Sequence, residues 1–395
     1  MSNLRFKYWR RKRKIMSISK DDYLRRIEEA KRRMKKDGID FLIIYGDSWR
    51  DGNFRYFAGL SPFAALNTDY EAPYGPFSLL TIPIDGEPIY FVPDGFVDSI
   101  TLEVEPIEDQ PWIRLEPWSK SLSTLKGLKE KKGLKRIAFT GKDIVPYPIY
   151  TSIKEAMGEM IDSRIPDSMR IIKDEKEVKL LEKAGAIADR VYEDITETIL
   201  KPGKMESEIA REIIVSAISY GADQVNSDIL VMGGKYEETM LGKARDVPIR
   251  KGTMLEFHVT PRYQGYCCDL DRGIGFGKIP NEQRELLEVA KEAHEAAMKV
   301  MKPGVKGSEI LKAAKSVNEE LVGALPSLLY GHGIGIQFEE NGFINEWMME
   351  PGMTFTLAVG TGKKGVGAVR VEDVCTITKT GGRSLTNFDR ACITE

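Results

Sequence analysis

Cysteine is scarce in this chain: four among 395 residues, with no CxxC pair. That spacing excludes a disulfide-dense scaffold and suits a reducing cytoplasm. Cys267 and Cys268 are adjacent, so a strand sends them to opposite faces, and they read as packing residues rather than ligands. Long apolar runs are also missing. Nothing approaches the roughly 20 residues needed to span a bilayer, so no membrane segment is expected. Charge of one sign is not in excess: the net charge of −2 gives the whole chain no pull toward nucleic acid or a membrane surface. Histidine occurs only three times, at 258, 294 and 332. What is present is a chain with 42% hydrophobic and 30% charged residues, long enough for two ordinary domains with their own cores.

Residues 1–18 hold a basic, aromatic-laced run, Phe6 to Lys14, without the apolar stretch of an export signal. Met16 is followed by Ser17, Ser19, Asp21 and Asp22, which suit a helix start, so the run reads as a disordered leader and a nucleic-acid partner is not expected. A helix is expected over Asp22–Asp37. Strands are expected at Phe41–Tyr45, Ser78–Ile82, Pro88–Val92 and Arg136–Thr140, giving an α/β domain over residues 19–168. Within it, Arg55 lies among aromatics beside a turn and is a candidate for holding an anionic group. The texture changes around Ser168–Glu175 to a long amphipathic helix carrying Leu180, Leu181, Ala184, Ile187, Val191 and Ile195, which opens a second domain over 169–395.

This second half contains an internal repeat. Lys201-Pro202-Gly203 with Ser207-Glu208-Ile209 recurs as Lys302-Pro303-Gly304 with Ser308-Glu309-Ile310, in the same order of helix, stop, helix and strand-rich segment. Two αβ halves related by a pseudo-twofold axis, with a site between them, are the simplest architecture. Thr253–Gly277 reads as a β-hairpin turning at Tyr263-Gln264-Gly265. Even spacing puts Glu256 with His258 on one strand face and Asp269 with Asp271 on another, and such groups are expensive to bury unless they bind something or one another. In the second half, His332 stands between Gly331 and Gly333, followed by Glu339 and Glu340; glycines there would let backbone crowd a ligand. Arg370 and Glu372 share a face of a late strand. His294, amid Lys291, Glu292 and Glu295, reads as solvated.

The GHGIG segment at 331–335, the GY..D.DR hairpin, the GMTFTL and VRVED strands and the R.IKDE.E opening together resemble the creatinase, aminopeptidase P and prolidase superfamily (M24) over nearly all of residues 20–395. The resemblance implies an α+β chain: a creatinase-like N-terminal α/β domain, then a pita-bread C-terminal domain, in a homodimer. It further implies a dinuclear metal set of two Asp, one His and two Glu. On this sequence Asp269, His332 and Glu372 match that set, while His258 and Ala358 replace an Asp and a Glu. A further catalytic His falls near Leu241, and Glu339 occupies another family His position.

Losing two carboxylates disfavours two dications. The leading expectation is therefore cofactor-free, creatinase-like hydrolysis of a C–N bond in a small molecule, with His258, His332, Asp271, Glu256, Glu340 and Glu372 as acid–base candidates. Arg55, Tyr263, Asp269, Glu339 and Arg370 are the candidates for binding substrate. Two alternatives stay open. One is a hydrolase of the Xaa-Pro dipeptidase kind with a single Zn, Mn or Fe ion on His258, Asp269, His332 and Glu372. The other is a non-catalytic binding protein on the same fold.

Overall fold

The computed structural model describes residues 18–61, 77–92, 94, 112–225, 230–233, 242–324 and 328–395. The basic leader up to residue 17 and the position near Leu241 lie outside the described residues.

Helix α1 (Lys20–Lys36) starts where the capping residues predict, with the Ser19 backbone N–H donating to Asp22 Oδ2 at 2.8 Å. It buries Ile27, Ala30 and Met34. The strands that follow are β1 (Phe41–Asp47), β2 (Phe77–Pro83), β3 (Ile89–Val92), β4 (Arg114–Pro117), β5 (Ile137–Thr140) and β6 (Met160–Asp162). They form one six-stranded sheet in the order β4-β3-β2-β1-β5-β6, antiparallel at β1–β2 and parallel at β1–β5. Helices α2 (Gly52–Ala58), α3 (Ser121–Lys132), α4 (Tyr147–Met157) and α5 (Ile165–Arg170) complete this part. The four strands expected from the sequence are all present.

Helix α6 (Glu175–Asp194) is capped by Asp174, whose carboxylate accepts from the Lys176 and Glu177 N–H groups at 2.9 and 3.0 Å. Its apolar stripe is buried from Leu180 to Val191, each leucine contributing about 1.5–3 kcal/mol. Next come α7 (Glu206–Ser219), β7 (Gln224–Val225), β8 (Leu230–Gly233), β9 (Thr253–Val259), β10 (Pro261–Tyr263), β11 (Tyr266–Cys267) and β12 (Leu270–Phe276). The second half supplies α8 (Asn281–Val300), α9 (Gly307–Lys315), β13 (Leu329–Tyr330), β14 (His332–Gly333), β15 (Glu340–Phe343), β16 (Thr354–Lys363) and β17 (Gly367–Ile377). One ten-stranded sheet draws on both halves, running β15-β14-β16-β17-β12-β9-β8 with β13 beside β16.

The repeat is visible in backbone detail. Gly203 and Gly304 have φ of 86° and 84°, which only glycine adopts cheaply, and their N–H groups donate to the carbonyls of Ile249 and Met349. Met205 then bridges to Pro248 and Lys306 to Met348, each just before its helix. The same turn is built twice.

Strands β9 and β12 pair from Thr253↔Phe276 to Val259↔Leu270, and the hairpin tip continues as β10 and β11. Gln264 (φ 47°) and Gly265 (φ 83°) close it between Tyr263 and Tyr266, the left-handed pair of a type I′ turn.

Two sequence expectations need correction. His294 is not solvated: it lies on the inner face of α8 with no exposed surface, its Nε2 3.1 Å from Asp373 Oδ2. The charged residues around it occupy the outer face of the helix, and they masked its direction. The glycines flanking His332 serve internal packing. A Cβ on Gly331 would sit 2.6 Å from the Thr356 carbonyl oxygen, and one on Gly333 would collide with the Glu340 carbonyl.

Candidate metal centre

Pairing register sets a row across the large sheet: His258 opposite Asp271, Asp271 opposite Glu372, Glu372 opposite Ala358, and Ala358 opposite Tyr330. Asp269 precedes β12 and His332 begins β14, so both halves of the repeat feed one centre. His258 Nε2 lies 2.5 Å from Asp269 Oδ1. His332 Nε2 lies 3.4 Å from Asp269 Oδ2 and 3.9 Å from Glu372 Oε1. Donor atoms of His258, Asp269 and Glu372 all fall within 4.8 Å of one another, and all three residues are buried.

The electrostatics of this cluster are tight. Burial alone would raise Asp269, but the His258 and His332 imidazoles outweigh it and hold the carboxyl below its usual range. Burial would lower both imidazoles; Asp269 reverses this, raising His258 and pushing His332 up to about 9. Burial and then the Asp269 charge push Glu372 up to about 7, against Arg370 and the imidazoles. Both Glu372 carboxyl oxygens are buried without a hydrogen bond, with Arg370 Nε 3.4 Å from Oε2 as a partial counter-charge. Two unsatisfied carboxylate oxygens at 0% exposure are costly, and a cation among them removes the cost. Two imidazoles and two carboxylates are also the donor types that Zn, Mn or Fe accept. The residues present therefore fit one divalent ion.

The neighbouring acids do other work. Asp271 Oδ2 accepts from Arg370 Nε at 3.0 Å and again from Nη2, so the guanidinium is clamped. Arg370 Nη1 donates to the Tyr330 hydroxyl at 2.7 Å, and the Arg370 backbone N–H to Glu256 Oε2 at 3.4 Å. Burial and then the adjacent Asp271 carboxyl raise Glu256 well above its ordinary value. Phe338, half-buried, sets its ring 5.8 Å from that of His258 and 5.9 Å from that of His332.

Other sequence candidates are placed elsewhere. Glu340, an acid–base candidate from the sequence, is tied into ion pairs: Arg170 Nη2 and Lys173 Nζ each donate to it at 2.7 Å, and against burial these two cations hold its carboxyl low. Glu339 beside it is exposed. Arg55 donates to Asp51 Oδ2 at 2.5 Å and leans over the hairpin tip at Gly265. Tyr263 sits at that tip, packed on the core. Sequence reasoning missed Tyr330 and Phe338. Their one signal was adjacency to the GHGIG segment.

Residues 179–379 match the model of the metallopeptidase family M24, and residues 26–172 match that of the creatinase/prolidase N-terminal domain. The chain belongs to metallopeptidase family M24. Among its M24 relatives, the Xaa-Pro dipeptidase of Pyrococcus horikoshii is 29% identical over 369 residues, covering 91% of this chain and 96% of that one. The Xaa-Pro dipeptidase of Pyrococcus furiosus is 27% identical over 377 residues, 92% and 98% of the two chains. The solved prolidase from Pyrococcus horikoshii OT3 superposes with a TM-score of 0.77 at 25% identity, covering 93% of this chain and 99% of that one. An Xaa-Pro dipeptidase from Bacillus anthracis does so with a TM-score of 0.80 at 23% identity, 94% and 100% covered, a likeness of fold. The α+β architecture of a creatinase-type N-terminal domain with a pita-bread domain is thereby established, and this M24 chain is a hydrolase of the superfamily. Among the described residues no helix is long and apolar enough to cross a membrane.

Proposed function

We propose that the chain hydrolyses short peptides of the Xaa-Pro class with one divalent ion held by His258, Asp269 and Glu372, with His332 beside them. The observation that carries this is the buried Glu372 carboxyl, without a hydrogen bond, grouped with His258 and Asp269. It replaces the cofactor-free expectation. Asp269 already ties up both imidazoles, and the matched family is metallopeptidase in name, with Xaa-Pro dipeptidases among the relatives. A bound ion supplies Lewis acidity toward a carbonyl and toward water.

The chain's own residues do the rest. Arg370, fixed by Asp271, presents positive charge beside the ligands. Phe338 lines the two imidazoles with an apolar ring, which suits a pyrrolidine. In the reaction, water adds across the peptide C–N bond, its oxygen to the carbonyl carbon and a proton to the departing nitrogen. The two-domain division at 168/169 and the homodimer that the resemblance implies belong to the same proposal.

The test is elemental mass spectrometry on the purified protein, followed by chelation and re-addition of Mn, Zn or Co in an Xaa-Pro dipeptide assay. About one ion per chain, activity lost on chelation and regained on re-addition, and loss of the ion in His258→Ala are expected. Near-zero metal, with turnover indifferent to chelation, would sink the proposal.

A further inference from the structure

Tyr330 is the residue at this site with the most unexplained chemistry. It stands directly opposite Ala358, so the ring occupies a position across from a methyl group where the superfamily resemblance places a carboxylate. Three contacts fix it. Its ring stacks on His332 at 6.0 Å and 16°, meets Phe343 edge-on at 6.3 Å, and its oxygen accepts from Arg370 Nη1 at 2.7 Å.

That last bond decides which way the hydroxyl works. A phenol that accepts from a guanidinium keeps its own hydrogen to give. Among the described residues no acceptor takes it: Glu372 Oε1 and Oε2 and Asp271 Oδ1 are all without hydrogen-bond partners. Arg370 cannot swing away, because Asp271 holds its Nε and Nη2. Donation from a cation polarises the O–H bond and strengthens it as a donor.

We propose that the Tyr330 hydroxyl, held by Arg370, donates the hydrogen bond that receives negative charge developing on the substrate's carbonyl oxygen. The inference rests on the peptide-hydrolase function above and adds a catalytic group to it. A donor fixed in advance, in a site where water is largely excluded, acts on the transition state more than on the bound substrate.

The experiment compares wild type, Tyr330→Phe and Tyr330→His, with metal content and melting temperature measured alongside kinetics. Tyr330→Phe is expected to keep its ion and its melting temperature, to lose roughly 10²-fold in kcat, and to leave KM within about three-fold. By calorimetry, a phosphinate mimic of the tetrahedral Xaa-Pro intermediate should bind Tyr330→Phe more weakly by a similar factor, while free proline binds both alike. Tyr330→His restores a ring donor and should recover part of kcat. Wild type that turns over Xaa-Pro dipeptides while Tyr330→Phe matches it in kcat and phosphinate affinity would overturn the inference and leave the function standing. So would a Tyr330→Phe protein whose activity falls only in step with its metal content, which assigns the contact a structural role. A wild type without metal or dipeptide turnover fails at the earlier step, and removes both.

Discussion

His294 is a fully buried imidazole with a poor share of its neighbouring acid, Asp373. Asp373 already accepts from Arg272 Nη2 at 2.5 Å, Thr386 Oγ1 at 2.6 Å and Arg390 Nε at 2.8 Å. Burial therefore dominates and lowers His294 to about 4, with the two arginines adding to it. The folded state resists the proton while the unfolded state takes it near pH 6.5, so stability attributable to this residue is intact above pH 6.5 and drains as pH falls toward 4. The whole effect is about 3 kcal/mol. Urea unfolding from pH 7.5 to 4.5 should show a slope that His294→Gln flattens; equal slopes for both proteins would refute the assignment. Even strand spacing marked His258 and Asp269 in the sequence, flanking glycines marked His332, and Glu372 shared a strand face with Arg370; their grouping as one ligand set came from the superfamily resemblance. Tyr330 and Phe338 could not be singled out, since an aromatic next to a glycine-rich turn looks like ordinary core until its hydroxyl or ring edge is seen to face a ligand. His294 failed for the opposite reason: a helix repeats every 3.6 residues, and charged neighbours say little about the one residue turned inward.

At the level of strands, register matters more than identity. Ala358 lies between Glu372 and Tyr330 in one row, so a single substitution there reaches both. Ala358→Glu returns a carboxylate to the row and is expected to raise metal content from about one ion per chain toward two, as hard cations follow carboxylate number. It should also crowd Tyr330 away from Arg370. Elemental analysis of the variant checks this, and content that stays near one ion would show that the His258 imidazole alone prevents a second site. The hairpin and the repeat were legible as elements because turn residues and helix stops have fixed chemistry: Gln264-Gly265 close one, Gly203 and Gly304 the other. Which acids would end up paired was not. Asp271 and Glu340 look alike in sequence, yet cross-strand or inter-segment partners, Arg370 for one and Arg170 with Lys173 for the other, fix what each does.

Over the whole molecule, one continuous apolar cluster joins the N-terminal part to the rest, and buried polar contacts lie beside it. Arg170 reaches Asn53 Oδ1 at 2.8 Å, Gln337 Oε1 at 2.7 Å and Glu340. Arg26, on α1, donates to the Tyr56 carbonyl at 3.0 Å and lies 3.3 Å from Glu177. Removing one member of such a group strands the others without water. Glu340→Gln should lower unfolding free energy by about 3–5 kcal/mol. The folded fraction should retain its metal and its kcat. Loss of kcat without loss of stability would instead return Glu340 to the chemistry.

The donors' distribution along the chain also decides when this centre can come into being. His258 and Asp269 meet inside one hairpin, an early and inexpensive closure. His332 and Glu372 arrive only when the second half has folded onto the first, across much longer loops. A half-made chain thus has two ligands and no cage. The proposed ion is then a late passenger, expected to slow unfolding and to leave the rate of folding as it was.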